Sequence, residues 1–138
     1  MKRRKFIKKS CTIAGLGITG LSLLLEGCKK HSITPSGSTV NFTIDLNANN
    51  YQTLNTVGNY IYINGIIVAN TTSGIIALSK FCTHAGCSVS YNKSSDNFPC
   101  PCHGASFADD GTVLGGPTNI PLKKYTVTQN GNILTISD

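Results

Sequence analysis

Arginine is absent after residue 4 of this 138-residue chain, and charged residues of all kinds make up only 13% of it. The formal net charge is +6, yet residues 1–27 account for +5, because they hold six basic residues and one acidic residue. The rest of the chain holds six lysines against five aspartates and is almost neutral. A nucleic-acid-binding domain carries a basic patch with interleaved aromatic side chains. The charge distribution excludes that class of protein.

A helical repeat of apolar side chains is also missing after Cys28, where no ten-residue segment shows the 3.6-residue period of an amphipathic helix. Residues 40–46 alternate apolar and polar side chains, which predicts a half-buried strand, whereas the polar residues 47–56 predict a loop. Asn64-Gly65 lies between two apolar runs and is a strong hairpin signal. The other predicted strands are 60–63, 66–69, 75–78, 121–128 and 132–137, with a turn at 129–131 joining the last two. Residues 39–138 are therefore predicted to form an all-β domain of short antiparallel strands.

The basic N-terminus precedes an apolar stretch, residues 11–25, which is interrupted by three glycines. A helix that spans a bilayer needs roughly 18–20 apolar residues, so this stretch is short for a span. A basic segment followed by a short apolar segment is the pattern of a secretory signal. Within it, Arg3-Arg4-Lys5-Phe6-Ile7-Lys8 resembles the twin-arginine motif, whose pathway exports folded proteins. We expect residues 1–27 to be a twin-arginine export signal; an ordinary Sec signal with two arginines is the alternative.

The apolar stretch ends in Leu25-Glu26-Gly27-Cys28, which resembles a bacterial lipoprotein box except for the glutamate. We expect Cys28 to be lipidated; the alternatives are a spare cysteine beside another cleavage site and an uncleaved membrane anchor. Each buried methylene of an acyl chain contributes about 0.8 kcal/mol, so a lipid would tether the protein at the outer, periplasmic face of a bacterial membrane. Residues 28–38 are polar, contain Pro and Gly, and predict a flexible tether that reaches about 35 Å. His31 has no second ligand beside it in this tether and is expected to be solvated.

Two short clusters hold four of the six cysteines and two of the three histidines. They are Cys82-x-His84-x-x-Cys87 and Cys100-x-Cys102-His103. Thiolates and imidazoles suit iron or zinc far better than calcium or magnesium. The region between residues 78 and 117 is poor in large apolar side chains, so we expect metal bonds and a disulfide to help hold its shape. The sequence predicts a metal site here.

The two clusters resemble the two halves of the Rieske iron–sulfur signature, C-x-H-x-G-C and C-P-C-H-G. The resemblance implies an all-β Rieske-like fold, a β-sandwich with a small loop-rich cluster-binding subdomain at about residues 80–121. It also implies that Cys82 and Cys100 bind one iron, and His84 and His103 the other iron, of a single 2Fe–2S cluster. Neutral imidazoles in place of two thiolates make such a cluster less negative and raise its reduction potential.

Cys87 and Cys102 match the pair that forms a disulfide between the two loops in the exported branch of this family. Such a bond fits an exported protein, because disulfides persist outside the cytoplasm. Gly86 and Gly104 match places where tight loops bring backbone N–H groups close to sulfur. Pro117 and Pro121 would cover one side of the cluster; the alternative is that they only make the loop rigid.

Two positions depart from the quinol-oxidising relatives, in which a serine and a tyrosine donate hydrogen bonds to cluster sulfurs. The corresponding residues here are Ala105 and Phe107. Ser106 is one position away and is not assumed to replace the missing serine. Donors to sulfur stabilise the reduced, more negative cluster, so we expect a potential below that of quinol–cytochrome c reductases.

The resemblance therefore implies a one-electron carrier with no bond-making step of its own and no catalytic residues. Its redox partner would be a c-type cytochrome, a quinol-oxidising complex or a molybdenum oxidase. The alternatives are a structural zinc module, since two Cys and two His can bind zinc, and a soluble Rieske ferredoxin serving an oxygenase. A Rieske oxygenase is excluded because His31 is the only histidine left for its second iron site.

Overall fold

The computed structural model describes residues 39–138. The predictions made for the export signal, Cys28, the tether and His31 lie outside these residues. Within residues 39–138, no helix is both long and apolar enough to cross a membrane.

The described part of the chain is almost entirely β, as predicted. Its elements are β1 Asn41–Asp45, a 3-10 helix Gln52–Asn55, β2 Tyr60–Ile63, β3 Ile66–Thr71, β4 Gly74–Ser79, β5 Phe98–Pro99, β6 Ser106–Phe107, β7 Val113–Gly115, β8 Lys124–Asn130 and β9 Ile133–Ser137. The long strands form a six-stranded antiparallel sheet in the order β1-β9-β8-β4-β3-β2. The short strands β5, β6 and β7 form a second sheet within the cysteine-rich region. The fold class predicted from the sequence is confirmed.

The hairpin between β2 and β3 turns at the predicted dipeptide. Ile63 pairs with Ile66, which leaves Asn64 and Gly65 as the two turn residues. Both have positive φ angles, 51° and 80°, as a type I′ turn requires. Asn and Gly tolerate this conformation, and so the local sequence is sufficient to place the turn.

The hairpin between β8 and β9 forms two residues later than predicted. Asn130 pairs with Ile133, so the turn consists of Gly131 and Asn132 rather than residues 129–131. Gly131 has a φ of 58° and occupies the first turn position, where a two-residue hairpin turn needs positive φ. The polar residues before it were wrongly assigned to the turn; they extend β8 on its exposed side.

The 3-10 helix Gln52–Asn55 interrupts the predicted loop at residues 47–56. Leu54 is fully buried there, and its carbonyl accepts a hydrogen bond from the Asn70 side chain, at 2.8 Å. The Asn55 side chain donates to the carbonyl of Leu46 at 3.1 Å. One turn is too short to show a period in the sequence, and these long-range contacts define it.

Strand β3 is buried on both faces and separates two apolar cores. Ile66 and Val68 belong to the first core, which is formed by side chains of the large sheet and by Leu54 of the 3-10 helix. Ile67 and Ala69 point to the other core, because successive side chains of a strand lie on opposite faces. The second core is shared with the cysteine-rich region, and its buried members are Ile67, Ala69, Leu78, Cys82, Val89, Tyr91, Phe98, Cys100, Ala105, Phe107 and Leu122. The cysteine-rich region therefore buries more apolar surface than its composition suggested, chiefly through two phenylalanines.

Candidate metal centre

The first cysteine loop, residues 82–87, is closed by two backbone hydrogen bonds. The N–H of Cys82 donates to the carbonyl of Cys87 at 2.7 Å, and the N–H of Gly86 donates to the carbonyl of Cys82 at 2.8 Å. Gly86 has a φ of 72°, which lets the chain reverse within six residues.

The second cysteine loop, residues 100–105, repeats this construction with the same spacing. The N–H of Cys100 donates to the carbonyl of Ala105 at 2.7 Å, and the N–H of Gly104 donates to the carbonyl of Cys100 at 3.2 Å. Gly104 has a φ of 76°. The two halves of the sequence signature thus fold into two loops of the same type, each beginning with a cysteine.

Cys82 and Cys100 are both free thiols, and each is only 3% exposed. The first cysteines of the two loops lie close enough to interact, because, besides burial, the side chain of Cys100 is among the groups that raise the pKa of Cys82. Burial raises the pKa of Cys82, while a hydrogen bond from the N–H of His84 acts in the opposite direction. Burial therefore opposes loss of the thiol proton when no metal is bound, whereas a bound cation would stabilise both thiolates.

His84 and His103 lie at the surface on the same two loops. Their ring centroids are 4.8 Å apart and the rings are nearly perpendicular, at 82°. The structure therefore brings the two predicted histidines together, as it does the two predicted cysteines.

A disulfide joins Cys87 of the first loop to Cys102 of the second, with the Cα atoms 6.5 Å apart. It is the pairing that the family resemblance implies. The sulfurs of these two residues and of Cys100 lie within 4.8 Å of one another. That proximity does not make a metal site, because disulfide sulfurs are not thiolates and only Cys100 of the three is free.

The donor set fits a 2Fe–2S cluster with mixed ligands. Two buried thiols can hold one iron and two surface imidazoles the other, and this is the ligand chemistry of Rieske centres. The disulfide fixes the two loops to each other independently of the metal.

Ala105 and Phe107 are almost completely buried and bring no hydroxyl group to this region. The hydroxyl of Ser106, between them, accepts a hydrogen bond from the Asn97 side chain at 3.1 Å. Ser106 therefore contacts the residue that precedes β5.

Residues 116–120, which we call the strap, contact both cysteine loops, and the sequence reasoning missed most of these contacts. The hydroxyl of Thr83 in the first loop donates to the carbonyl of Ile120 at 2.6 Å and lies 3.1 Å from the hydroxyl of Thr118. At the other end, Gly116 packs against the backbone of Ala105 in the second loop. Only Gly116-Pro117 gave a sequence signal, because it predicts a turn; nothing in the sequence indicated that Thr118 is buried.

The segments that form the two loops and the strap contain no Asp, Glu, Lys or Arg. None occurs in residues 81–92, 97–108 or 111–122, which include all four candidate ligands and the strap. Three large apolar side chains are exposed there, Phe81 at 49%, Leu114 at 59% and Ile120 at 62%. The segments that carry the histidines are therefore uncharged and expose apolar side chains, with Lys80 lying over the ring of Phe81 at their edge.

Comparisons with known proteins agree with this geometry. The family model of the Rieske 2Fe-2S domain matches residues 38–126. The cytochrome b6-f complex iron-sulfur subunit of Chlorobaculum tepidum is 41% identical over 70 residues, which are 50% of this chain and 39% of that protein. The alignment thus spans about two fifths of that relative's length.

Two solved structures are similar to the chain. The cyanobacterial plasma membrane Rieske protein from Synechocystis PCC 6803 is 34% identical, with a TM-score of 0.49 over 56% of this chain and 82% of that one. The Sphingomonas yanoikuyae B1 ferredoxin has a TM-score of 0.52 over 60% of this chain and 88% of that one. Its identity is 24%, so this second likeness concerns the fold alone.

Proposed function

The chain belongs to the Rieske 2Fe-2S domain family, and from that membership we propose that it carries single electrons at the outer face of a bacterial membrane, as part of an electron-transport chain. The cofactor of the family is a 2Fe–2S cluster, one per domain. The family match and the mixed Cys/His donor set both favour this cofactor over the zinc module.

Four residues would hold the cluster. Cys82 and Cys100 would bind one iron, and His84 and His103 the other. The observation that carries this assignment is the arrangement of two buried free thiols and two adjacent surface imidazoles on loops joined by a disulfide. The cluster supplies the capacity to take up and release one electron.

The protein itself controls access to that electron. The thiol side is packed in the second apolar core and excludes water. The imidazole side is exposed, so a redox partner can approach closely only there. The chain's contribution is therefore to orient the ligands and to present one edge of the site.

The ligand assignment is tested on the full chain by iron content, visible absorption and EPR. The purified protein is expected to be red-brown and to hold two irons per chain, and to give a rhombic EPR signal after reduction. His84→Ala should remove that signal, whereas His31→Ala, which changes the histidine of the tether, should leave it intact. Colourless protein with stoichiometric zinc would overturn the proposal.

The location rests on the N-terminal sequence and on the relatives. Residues 1–27 would be a twin-arginine signal and Cys28 the lipidated residue, followed by the tether at 28–38. The disulfide supports an oxidising compartment outside the cytoplasm. Arg3→Lys with Arg4→Lys should leave the protein in the cytoplasm, and Cys28→Ala should release it from membranes. A Cys28→Ala protein that stays membrane-bound would show instead that residues 11–25 anchor it.

The partner would be a quinol-oxidising complex, because the curated relative from Chlorobaculum tepidum is named as a cytochrome b6-f complex subunit. A c-type cytochrome and a molybdenum oxidase are the other candidates. Purification from detergent-extracted membranes separates them: co-purifying b- and c-type cytochromes support the quinol-oxidising complex, and a molybdenum enzyme contradicts it.

A further inference from the structure

The strap joins the two cysteine loops by non-covalent contacts, in addition to the disulfide that joins them covalently. Gly116 packs against the backbone of the second loop, whereas Thr118 and Ile120 form hydrogen bonds with the first loop.

At its C-terminal end the strap closes a ring of three hydrogen bonds with the first loop. The N–H of Ile120 donates to the Thr118 hydroxyl at 3.1 Å, and the Thr83 hydroxyl donates to the carbonyl of Ile120 at 2.6 Å. A hydroxyl has a single proton, so the 3.1 Å contact between the two threonines must be donated by Thr118. Each group of the ring is thereby satisfied, although Thr118 is only 7% exposed.

At its N-terminal end the strap lies directly on the second loop. A Cβ atom built on Gly116 would come within 2.4 Å of the Cα of Ala105 and 2.9 Å of the carbonyl oxygen of Gly104. The backbone of Gly116 therefore lies directly against the backbone of the second loop. The strap is thus packed on the second loop at this end and hydrogen-bonded to Thr83 of the first loop at the other end.

We propose that Thr118 is a positioning residue, which latches the strap onto the first cysteine loop and so limits access of solutes to the cluster. The inference rests on the proposed function, because it assumes that residues 82–87 and 100–105 hold the cluster. Thr118 touches no ligand side chain in the described structure and acts through Thr83, the neighbour of Cys82 and His84. Removal of its hydroxyl leaves the N–H of Ile120 without a partner, and leaves the Thr83 hydroxyl with only the hydrogen bond that it donates to the carbonyl of Ile120.

The test uses the full-length, cluster-loaded protein and three variants. Thr118→Val keeps the side-chain volume and removes the hydroxyl, while Thr118→Ser keeps the hydroxyl. Thr71→Val is the matched control, because Thr71 is also buried and its hydroxyl donates to a backbone carbonyl, that of Gly74, in the β3–β4 turn. The rate at which an iron chelator, bathophenanthroline disulfonate, bleaches the visible absorbance measures access to the cluster.

Thr118→Val is expected to bleach roughly tenfold faster, as loss of one buried hydrogen bond would cause. Thr118→Ser and Thr71→Val should bleach at the rate of the unaltered protein, although Thr71→Val should melt at a lower temperature. The g-values of the reduced Thr118→Val cluster should also shift, since the first loop loses its hydrogen bond to Thr118. Equal bleaching rates and equal g-values in Thr118→Val and the unaltered protein would overturn the proposal.

A second measurement does not depend on any variant. In the unaltered protein the Ile120 amide should exchange with deuterium much more slowly than the amide of its exposed neighbour Asn119, as resolved by fragmentation mass spectrometry. Equal exchange at the two amides would contradict the latch. If the unaltered protein binds no 2Fe–2S cluster, the proposed function fails instead, and slow exchange at Ile120 would still be observed.

Discussion

Ala105 and Phe107 place a methyl group and a benzyl group where the resemblance to quinol-oxidising relatives implies two hydroxyl donors. Both side chains are buried in the core that also contains Cys82 and Cys100. The hydroxyl that the sequence offers nearby, on Ser106, is bound to Asn97. The reduced cluster carries more negative charge than the oxidised one, so missing donors penalise reduction.

The double variant Ala105→Ser, Phe107→Tyr is therefore expected to have a higher reduction potential than the unaltered protein. Ser106→Ala is the control and should leave the potential unchanged, because its hydroxyl donates to no sulfur ligand in the described structure. Protein-film voltammetry measures all three. An unaltered protein near the top of the Rieske range of about −150 to +300 mV would contradict the argument.

Gly116 and Gly131 both have positive φ angles, 105° and 58°, but only Gly116 has backbone atoms in the space a side chain would need. Gly131→Ala should cost about 1–2 kcal/mol of unfolding free energy, the usual cost of a left-handed conformation. Gly116→Ala should cost clearly more and should also accelerate loss of the cluster, since the strap would be displaced from Ala105. Denaturant unfolding and visible absorbance measure the two effects. Equal losses of unfolding free energy in Gly116→Ala and Gly131→Ala would show that the close packing of the strap on the second loop does not contribute to stability.

At the scale of elements, Asp96 joins the β3–β4 turn to the cysteine-rich region. Its carboxylate accepts hydrogen bonds from the hydroxyl of Thr72, in the turn, and from that of Tyr91, in the second core. The Thr72 hydrogen bond, followed by that of Tyr91, lowers the pKa of Asp96. Burial, reinforced by the bond to Asp96, raises the pKa of Tyr91 to about 12.

The stability that Asp96 contributes should consequently depend on pH. A carboxyl whose pKa is lowered by folding stabilises the folded state above its unfolded pKa, about 3.9, and this contribution is lost as the pH falls through the folded pKa. Asp96→Asn should lower the melting temperature at pH 7, and the difference from the unaltered protein should shrink below pH 4. When Thr72→Val is also present, Asp96→Asn should lower the melting temperature by less, because one of the hydrogen bonds to Asp96 is already missing. A difference in melting temperature between the two proteins that stays constant from pH 7 to pH 3 would contradict this pH dependence.

Turns and loops that are determined by neighbouring residues could be predicted from the sequence. Elements that are held by contacts with residues far away in the chain could not. Asn64-Gly65 specifies its own turn, and the two C-x-x-x-G runs specify their loops through one cysteine and one positive-φ glycine. The helical turn around Leu54 forms because distant carbonyls and amides, such as the Asn70 side chain, reach it. The role of the strap likewise depends on Thr83, thirty-five residues before Thr118. No window of neighbouring residues contains that information.

At the scale of the whole molecule, the segments that contain the candidate ligands and the strap carry no charged side chain. The nine charged side chains of residues 39–138 are four lysines and five aspartates, and none lies in the segments 81–92, 97–108 or 111–122. Long-range steering of a redox partner requires a local excess of one sign of charge. A partner that docks at the histidines would therefore be held by apolar contact with side chains such as Ile120 rather than by salt bridges.

Electron exchange at this edge should then be nearly independent of ionic strength. Oxidation of the reduced protein by anionic hexacyanoferrate(III) and by a cationic cobalt phenanthroline complex should change little between 10 and 200 mM salt. Ile120→Glu introduces one negative charge on the strap residue that is hydrogen-bonded to Thr83, the neighbour of His84, so it should slow the anionic oxidant several-fold at 10 mM salt and lose this effect at 200 mM, where screening acts within about 10 Å. Ile133→Glu makes the same change on β9 and should have no such effect. A steep salt dependence in the unaltered protein, measured by stopped-flow absorbance, would show that charge does steer its partners.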